Sequence, residues 1–183
     1  MGFFAREELE KMGFASLGIE VRISKKVSIY NPHLISIGNH VRIDDFAIIS
    51  PTEATFKIGN YVHIAAHCMV IGREKITLSD FSGLSGRVTI YSSSDDYSGE
   101  FLTNPTVPEE FTNVQSAPVS LGRHVIVGAG SIILPNVDIG MASAISAMSL
   151  VTRNIPEEVI AAGIPCRVVK KRSSRLLDLE KRL

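Results

Sequence analysis

The chain has 183 residues, of which 45% are hydrophobic, and its 19 basic and 19 acidic residues cancel to a formal net charge of zero. This length suits one domain with one core, and the balanced charge argues against nucleic acid or an anionic membrane as a partner. No apolar stretch approaches the ~20 residues that a membrane helix needs, and the N-terminus lacks a basic-then-apolar signal segment. We therefore expect no membrane insertion and a cytoplasmic location.

The first predicted element is a short amphipathic helix within Phe3 to Phe14, closed by Gly13. Val21 to Ile37 alternates apolar and polar residues, and the pattern predicts an irregular entry coil. The two cysteines, Cys68 and Cys166, lie far apart in the chain. Their number and spacing favour buried free thiols in a reducing compartment over a disulfide.

An aliphatic residue then returns at every sixth position from Ile37 to Val151, with few breaks. Repeats of this kind fix the architecture before any motif is considered. The repeated positions are Ile37, Ile43, Ile58, Ile64, Val70, Leu78, Leu84, Ile90, Leu121, Val127, Ile133, Ile139, Ile145 and Val151.

The fifth place of each block is also restricted, mostly to small residues and valine. Alternate residues of a strand share one face, so the fifth place of one block and the first place of the next both point inward. The two remaining places then form a tight corner. Three blocks close a triangular coil, and stacked coils bury a continuous aliphatic core. The prediction is a mainly β fold, a parallel β-helix in a single domain covering residues 1–183.

The repeat is interrupted at about residues 91–120 by a long polar excursion loop rich in Ser, Asn and Pro. Loops of this length are uncommon in a compact domain and are usually functional. The candidate substrate-binding residues are Ser94, Tyr97 and Glu100, and the candidate catalytic carboxylates are Asp95 and Asp96. The alternative is that Ser-Asp-Asp forms only an Asx-type turn.

The last complete block starts at Val151, and residues 152–183 are predicted to form a C-terminal cap. Leu176, Leu179 and Leu183 have helical spacing within Ser173 to Leu183, which predicts a short terminal helix.

Two segments are more specific than the six-residue repeat: VGAGSIILPNVDIG, and SLVTRNIPEEVIAAGIPCRVVKK near the C-terminus. With the repeat, they resemble the hexapeptide-repeat acyltransferases of the left-handed β-helix fold, in particular galactoside, maltose and surface-polysaccharide acetyltransferases. The resemblance implies acetyl-CoA as co-substrate, no metal, and a sugar, nucleotide-sugar or polysaccharide precursor as acceptor. It also implies a homotrimer whose active sites lie between neighbouring subunits.

Carried over by position, the resemblance assigns the coenzyme to the C-terminal coils. Backbone groups there would grip the pantetheine arm, and basic residues would bind the phosphates with charge-assisted hydrogen bonds. The candidate coenzyme-binding residues are Ala129, Ala147, Thr152, Arg153, Pro165, Arg167 and Lys170.

A histidine is the expected general base, because its pKa lies near neutrality. The resembling enzymes have one at the start of the excursion loop, but this chain has Asp95 there and no histidine in the loop. Of the five histidines, His67 is the predicted base, on an outward corner that a neighbour's loop would cover. The loop carboxylates are the alternative.

Two other functions stay open. A non-catalytic trimeric scaffold would explain the missing loop histidine. A zinc enzyme similar to γ-class carbonic anhydrases would need three converging histidines. His63 and His67 are four positions apart in a six-residue period and so point to different sides, which disfavours the zinc enzyme.

Overall fold

Three parallel β-sheets form the sides of a triangular solenoid in the computed structural model, which describes residues 2–183. Successive strands along the chain belong to the first, second and third sheet in turn, so that each coil stacks on the coil before it. This architecture confirms the predicted mainly β, parallel β-helix fold.

Each sheet contains short strands in parallel register, except that the last strand of the second sheet runs antiparallel to its neighbour. The first sheet contains Ser16–Leu17, Ile35–Ile37, Phe56–Ile58, Ile76–Leu78, Val119–Leu121 and Asp138–Ile139. The second contains Arg22–Ile23, Arg42–Ile43, His63–Ile64, Gly83–Leu84, Ile126–Val127, Ala144–Ile145, Val159–Ala162 and Arg167–Lys171. The third contains Ser28–Ile29, Ile48–Pro51, Met69–Gly72, Thr89–Tyr91, Ile132–Ile133 and Leu150–Val151.

The six-residue pattern fills the interior as predicted. Every first-place aliphatic from Ile37 to Val151 is buried, and so are the restricted fifth-place residues, such as Val62, Cys68 and Ser131. Because equivalent residues lie side by side in each sheet, the aliphatics form continuous columns, of which Ile64, Leu84 and Val127 are one example. Burial of each large aliphatic side chain contributes about 1.5–3 kcal/mol, which makes this core the main source of stability.

The regular coils begin earlier than the sequence pattern indicated. Ser16–Leu17, Arg22–Ile23 and Ser28–Ile29 form a complete coil, and the last two of these strands lie in Val21 to Ile37, which was predicted to be irregular. Leu17, Ile23 and Ile29 are six positions apart, and Ile23 is buried. A 3₁₀ helix at Pro32–Leu34 follows this coil and breaks the phase, which hid it from the repeat.

The ends and the interruption take the predicted forms. Helix Arg6–Lys11 lies within the predicted N-terminal segment, and helix Arg175–Glu180 within the predicted C-terminal one. The excursion loop leaves after Tyr91, and its root is a two-stranded antiparallel ladder of Ser93–Ser94 with Gln115–Ser116. A 3₁₀ turn, Glu109–Phe111, lies within the loop.

Both cysteines are buried and free. Burial raises the pKa of the Cys68 thiol to about 11. Within residues 2–183, neither helix has the length and apolar character needed to cross a bilayer.

The aliphatic columns generate a stability prediction. Replacing the fully buried Ile64 by alanine leaves a cavity between two coils and should lower the free energy of unfolding by about 2–5 kcal/mol. Urea denaturation at fixed protein concentration measures the change. Lys57→Ala, at an exposed strand position, is the control and should change the free energy by less than about 0.5 kcal/mol. Equal effects of the two substitutions would contradict the placement of Ile64 in the interior of the solenoid.

Candidate active site

The corner between the second and third sheets carries a column of small residues, one from each coil. We call Ala66, Gly86, Ala129 and Ala147 the small-residue corner. Hydrogen bonds join its coils: Arg87 N donates to Ala66 O at 3.1 Å, and Met148 N donates to Ala129 O at 2.9 Å. Ala129 and Ala147 are exposed.

Backbone donors are free along this corner. Within residues 2–183, the N–H groups of Gly86, Ala129 and Ala147 have no hydrogen-bond acceptor. The packing between coils keeps the corner tight, because a Cβ on Gly128 would collide with the backbone nitrogen of Ala147. The corner therefore presents a row of N–H donors, one per coil, to a ligand lying along it.

The C-terminal hairpin continues this corner. Cys166 N donates to Leu150 O at 2.8 Å, which holds the turn containing Pro165 beyond Ala147. The Ile164–Pro165 peptide is cis. Arg167 and Lys170 are exposed on the last strand, which runs antiparallel to Val159–Ala162. Five of the seven predicted coenzyme residues thus lie on the small-residue corner or in the C-terminal hairpin that follows it.

Thr152 and Arg153 lie elsewhere. They are exposed residues that follow Leu150–Val151, at the opposite end of that strand from Ala147. Within one chain, the structure does not bring them to the same corner as Ala129 and Ala147.

A cavity of about 310 Å³ opens beside the small-residue corner, on the outer face of the second sheet. Gly83 has no side chain there, and a Cβ added to it would meet no atom within 4 Å. His63 is its neighbour in the sheet. The lining residues are His63, Ala65, Gly83, Leu84, Ser85, Gly86 and Ile126.

The imidazole of His63 is held by a buried carboxylate. His63 Nε2 lies 2.8 Å from Asp44 Oδ2, and Arg42 Nε donates to Asp44 Oδ1 at 2.8 Å. Burial alone would raise the pKa of Asp44, but these two hydrogen bonds outweigh it and the pKa is lowered. Asp44 is therefore a carboxylate at neutral pH, while half of the His63 side chain remains exposed.

His67, the predicted base, lies on the small-residue corner, next to Ala66. Its ring stacks on Phe46 with centroids 5.1 Å apart. In the described residues no side-chain hydrogen bond or ion pair orients this imidazole or links it to the excursion loop of its own chain. The assignment of His67 stays a prediction.

His124 is the second histidine bound to a carboxylate. His124 Nε2 lies 2.7 Å from Glu180 Oε2 in the C-terminal helix, and only 11% of its side chain is exposed. It belongs to the corner between the first and second sheets, in a stack with Phe81, Tyr61 and His40. This histidine therefore anchors the C-terminal helix on the coils.

The excursion loop encloses a second, larger cavity of about 740 Å³ at its root. Ser94 and Asp95 line it together with Arg73 and Tyr91. Arg73 forms only long ion pairs there, with Glu53 at 3.7 Å and with Glu109 at 3.5 Å. This cavity lies at the corner between the third and first sheets, away from the small-residue corner of the same chain.

The remaining predicted loop residues differ from Asp95 in their contacts. Asp96 Oδ1 accepts from Ser98 N at 2.7 Å, and Asp96 Oδ2 accepts from Asn113 Nδ2 at 3.0 Å. The hydrogen bonds from Ser98 lower the pKa of Asp96. These are the contacts of the Asx-type turn. Tyr97 and Glu100 are exposed and line neither cavity.

Sequence reasoning missed Ser85, Gly86 and the His63–Asp44 pair. Gly86 occupies the same block place as Ala129 and Ala147, so alignment of the blocks would have found it. No sequence signal pairs His63 with Asp44, which lies 19 positions before it on the neighbouring coil. Across residues 2–183, no group of three His, Cys, Asp or Glu side chains is arranged to hold a metal ion.

No protein-family model matches the chain. A curated relative from Escherichia coli, dTDP-4-amino-4,6-dideoxy-D-glucose acyltransferase, is 45% identical over 180 residues, covering 98% of this chain and 94% of the relative. Maltose O-acetyltransferase from Clostridium difficile superimposes with a TM-score of 0.60 at 26% identity, over 92% of this chain and 75% of that one.

AntD from Bacillus cereus, an N-acyltransferase, is similar over nearly its whole length. The complex of an AntD variant, in which one serine is replaced by cysteine, with dTDP-4-amino-4,6-dideoxyglucose and coenzyme A superimposes with a TM-score of 0.95 at 46% identity, over 98% of this chain and 95% of AntD. Another AntD structure contains dTDP and 3-hydroxybutyryl-CoA.

These relatives favour an enzyme over the scaffold and the zinc protein that the sequence left open. They agree with the repeat, the solenoid and the row of free backbone donors along its corner. The chain belongs to the hexapeptide-repeat acyltransferases and is an acyltransferase.

Proposed function

We propose that this protein transfers an acyl group from a CoA thioester to the amino group of a dTDP-linked amino sugar, as an N-acyltransferase. The observation that carries the proposal is the 45% identity, over nearly the whole chain, to an acyltransferase of dTDP-4-amino-4,6-dideoxy-D-glucose. The sequence predicted transfer to a hydroxyl or an amino group of a sugar. The proposal specifies the amino group and a dTDP-linked sugar.

The small-residue corner is the proposed path of the coenzyme. The adenine and phosphate end would lie at Pro165, with Arg167 and Lys170 supplying positive charge. The pantetheine arm would pass Ala147 and then Ala129, where free N–H groups can bind its amides. Adjacent coils are ~4.8 Å apart, so the next position along this path is Gly86, beside the 310 Å³ cavity.

The same geometry suggests how the thioester is activated. Attack on the carbonyl carbon places negative charge on its oxygen, and a fixed N–H donor stabilises that oxyanion without reorganisation. We assign this donation to Gly86, whose N–H is free beside the cavity. Thr152 and Arg153 would contact the coenzyme only from a neighbouring subunit.

Ser85 and Asp95 are the proposed contacts to the acceptor. AntD was solved with substitutions at one serine and at one aspartate ten positions later. In this chain, Ser85 and Asp95 are the only serine and aspartate with that spacing. Both line cavities, whereas Asp96 is held in a turn, so Asp95 is the stronger candidate of the two loop carboxylates.

A homotrimer would unite these residues. The cavities lined by Ser85 and by Asp95 have no residue in common, which supports a site formed by the corner of one subunit and the loop of its neighbour. Exposed apolar side chains flank the small-residue corner, as expected of a surface that another subunit covers. They are Ile126, Ile132, Met148 and Ile164.

Acetyl-CoA is the donor that we propose, and 3-hydroxybutyryl-CoA is the alternative that the AntD complex raises. We also propose a cytoplasmic location, which the two buried free thiols support.

Thiol release tests the proposed function. The protein is mixed with dTDP-4-amino-4,6-dideoxyglucose and either acetyl-CoA or 3-hydroxybutyryl-CoA. Free coenzyme A and the N-acylated sugar should form in equal amounts, as measured by a thiol reagent and mass spectrometry. Acylation of simple galactosides or maltose at comparable kcat/KM, with none of the dTDP sugar, would contradict the proposal.

A bulky side chain on the small-residue corner should block the coenzyme. Ala147→Phe places a ring over the exposed row of N–H donors, so the Kd for coenzyme A should rise at least about tenfold, or 1.4 kcal/mol. Calorimetry measures the affinity, and Ala15→Phe, at an exposed position on the first sheet's side, is the control. Unchanged affinity in Ala147→Phe would contradict this path.

Asp95→Ala should weaken use of the acceptor. Loss of a hydrogen bond to an amine or its ammonium form should lower kcat/KM for the dTDP sugar about ten- to a hundredfold. The Kd for coenzyme A should stay unchanged. Glu110→Ala, which removes an exposed carboxylate elsewhere in the same loop, should leave kcat/KM within about twofold. Equal losses in both variants would show a general effect of loop charge instead.

A further inference from the structure

The His63–Asp44 pair was not among the predicted site residues, and His63 lines the 310 Å³ cavity. We propose that His63 is the general base that takes the proton of the acceptor amine, and that Asp44 is the positioning residue that holds its imidazole. The inference rests on the proposed function and names a residue that acts in its chemical step.

The hydrogen bonds of Asp44 select the protonation pattern of His63. Asp44 is 7% exposed, and its two oxygens face different partners, Arg42 Nε and His63 Nε2, each at 2.8 Å. A carboxylate only accepts hydrogen bonds, so it favours the tautomer with the proton on Nε2. In neutral His63 the lone pair is then on Nδ1, which is the form a general base needs.

His63 also faces the space where the reaction is proposed to occur. His63 and Ser85 line the same cavity, and the missing side chain of Gly83, the neighbour of His63 in the sheet, leaves this surface open. Gly86, at the end of the proposed coenzyme path, lines that cavity too. One cavity therefore holds an oriented imidazole, a free serine hydroxyl and a free backbone N–H donor.

The chemical step balances with these groups. The nitrogen lone pair of the neutral amine forms a bond to the thioester carbon, and the carbon–oxygen π electrons move to the oxygen near Gly86 N–H. His63 Nδ1 accepts the proton that the nitrogen must lose. The carbonyl re-forms as the carbon–sulfur bond breaks, and the sulfur departs with the electron pair. The thiolate then takes the proton from His63, which gives the amide and coenzyme A.

The other histidines fit this role less well. His67 lies on the corner but is held only by stacking on Phe46. His124 has a carboxylate partner, but its side chain is mostly buried beneath the C-terminal helix and belongs to a different corner. Of the five imidazoles, only that of His63 combines an orienting carboxylate with exposure to a cavity.

The test compares His63→Gln with wild type under saturating acyl-CoA and dTDP-amino sugar. General-base catalysis typically contributes a factor of about 10²–10⁴, so kcat should fall by that factor. KM for acyl-CoA should change by no more than about twofold, because His63 does not touch the proposed coenzyme path. Added imidazole should restore part of the activity of His63→Ala.

Asp44→Asn tests the positioning role. The amide still occupies the site, but it can present an N–H to the imidazole and so disturb the tautomer, and kcat should fall at least about tenfold. Because Arg42 also loses a charged partner, thermal unfolding and coenzyme affinity are measured for each variant. His40→Gln, which removes an exposed stacked imidazole from another corner, is the matched control and should keep wild-type kcat.

Two results would overturn the assignment. One is a kcat of His63→Gln within about threefold of wild type in a protein that binds coenzyme A normally. The other is a large loss in His67→Ala with none in His63→Gln, which would establish the sequence-based candidate instead. If the wild-type protein shows no turnover, the proposed function itself is contradicted. That result differs from one in which wild type is active and His63→Gln is equally active, which contradicts only the role of His63.

Discussion

The structure depends on the inward packing of one aliphatic residue in every six. This residue and the fifth-place residue of the block before it are both buried, and the chain turns at the corner places between such inward pairs. Three turns close a triangular coil. Each coil then stacks on the previous one at the spacing of hydrogen-bonded strands, ~4.8 Å. Corners that share a block place consequently lie in straight columns along the solenoid, and residues about twenty positions apart become neighbours.

This periodicity makes the proposed site a linear one. A corner of small residues exposes N–H groups that strand pairing does not use, because they fall between the strands of adjacent sheets. Ala129 and Ala147 provide such donors at regular intervals, suited to an extended ligand with repeated amide groups. Two coils before Ala147, the same column reaches Gly86, and there the absent side chain of Gly83 opens a cavity beside the column. The excursion loop, which the solenoid does not need, adds a cavity of its own at another corner.

Much of this could be predicted because it follows from local spacing. The six-residue pattern predicted the coils and the buried columns, and its interruption located the loop. The first coil, Ser16–Ile29, was missed because the 3₁₀ turn at Pro32–Leu34 shifts the phase after it. The His63–Asp44 pair was missed for a different reason. Asp44 and His63 become neighbours only when their two coils have stacked in the observed register. Their contact also depends on side-chain directions that spacing alone does not specify. The different contacts of Asp95 and Asp96, adjacent in sequence, could likewise be distinguished only by the folded loop.

The central claim is that each active site combines the corner of one subunit with the loop of its neighbour. Mixing two variants of low activity, His63→Gln and Asp95→Ala, after unfolding and refolding them together tests it most directly. If the site spans two subunits, some interfaces in mixed trimers contain neither substitution, and about a quarter of wild-type activity should return. If His63 and Asp95 act within one chain, every site contains one substitution, and the mixture should be no more active than the two variants assayed separately.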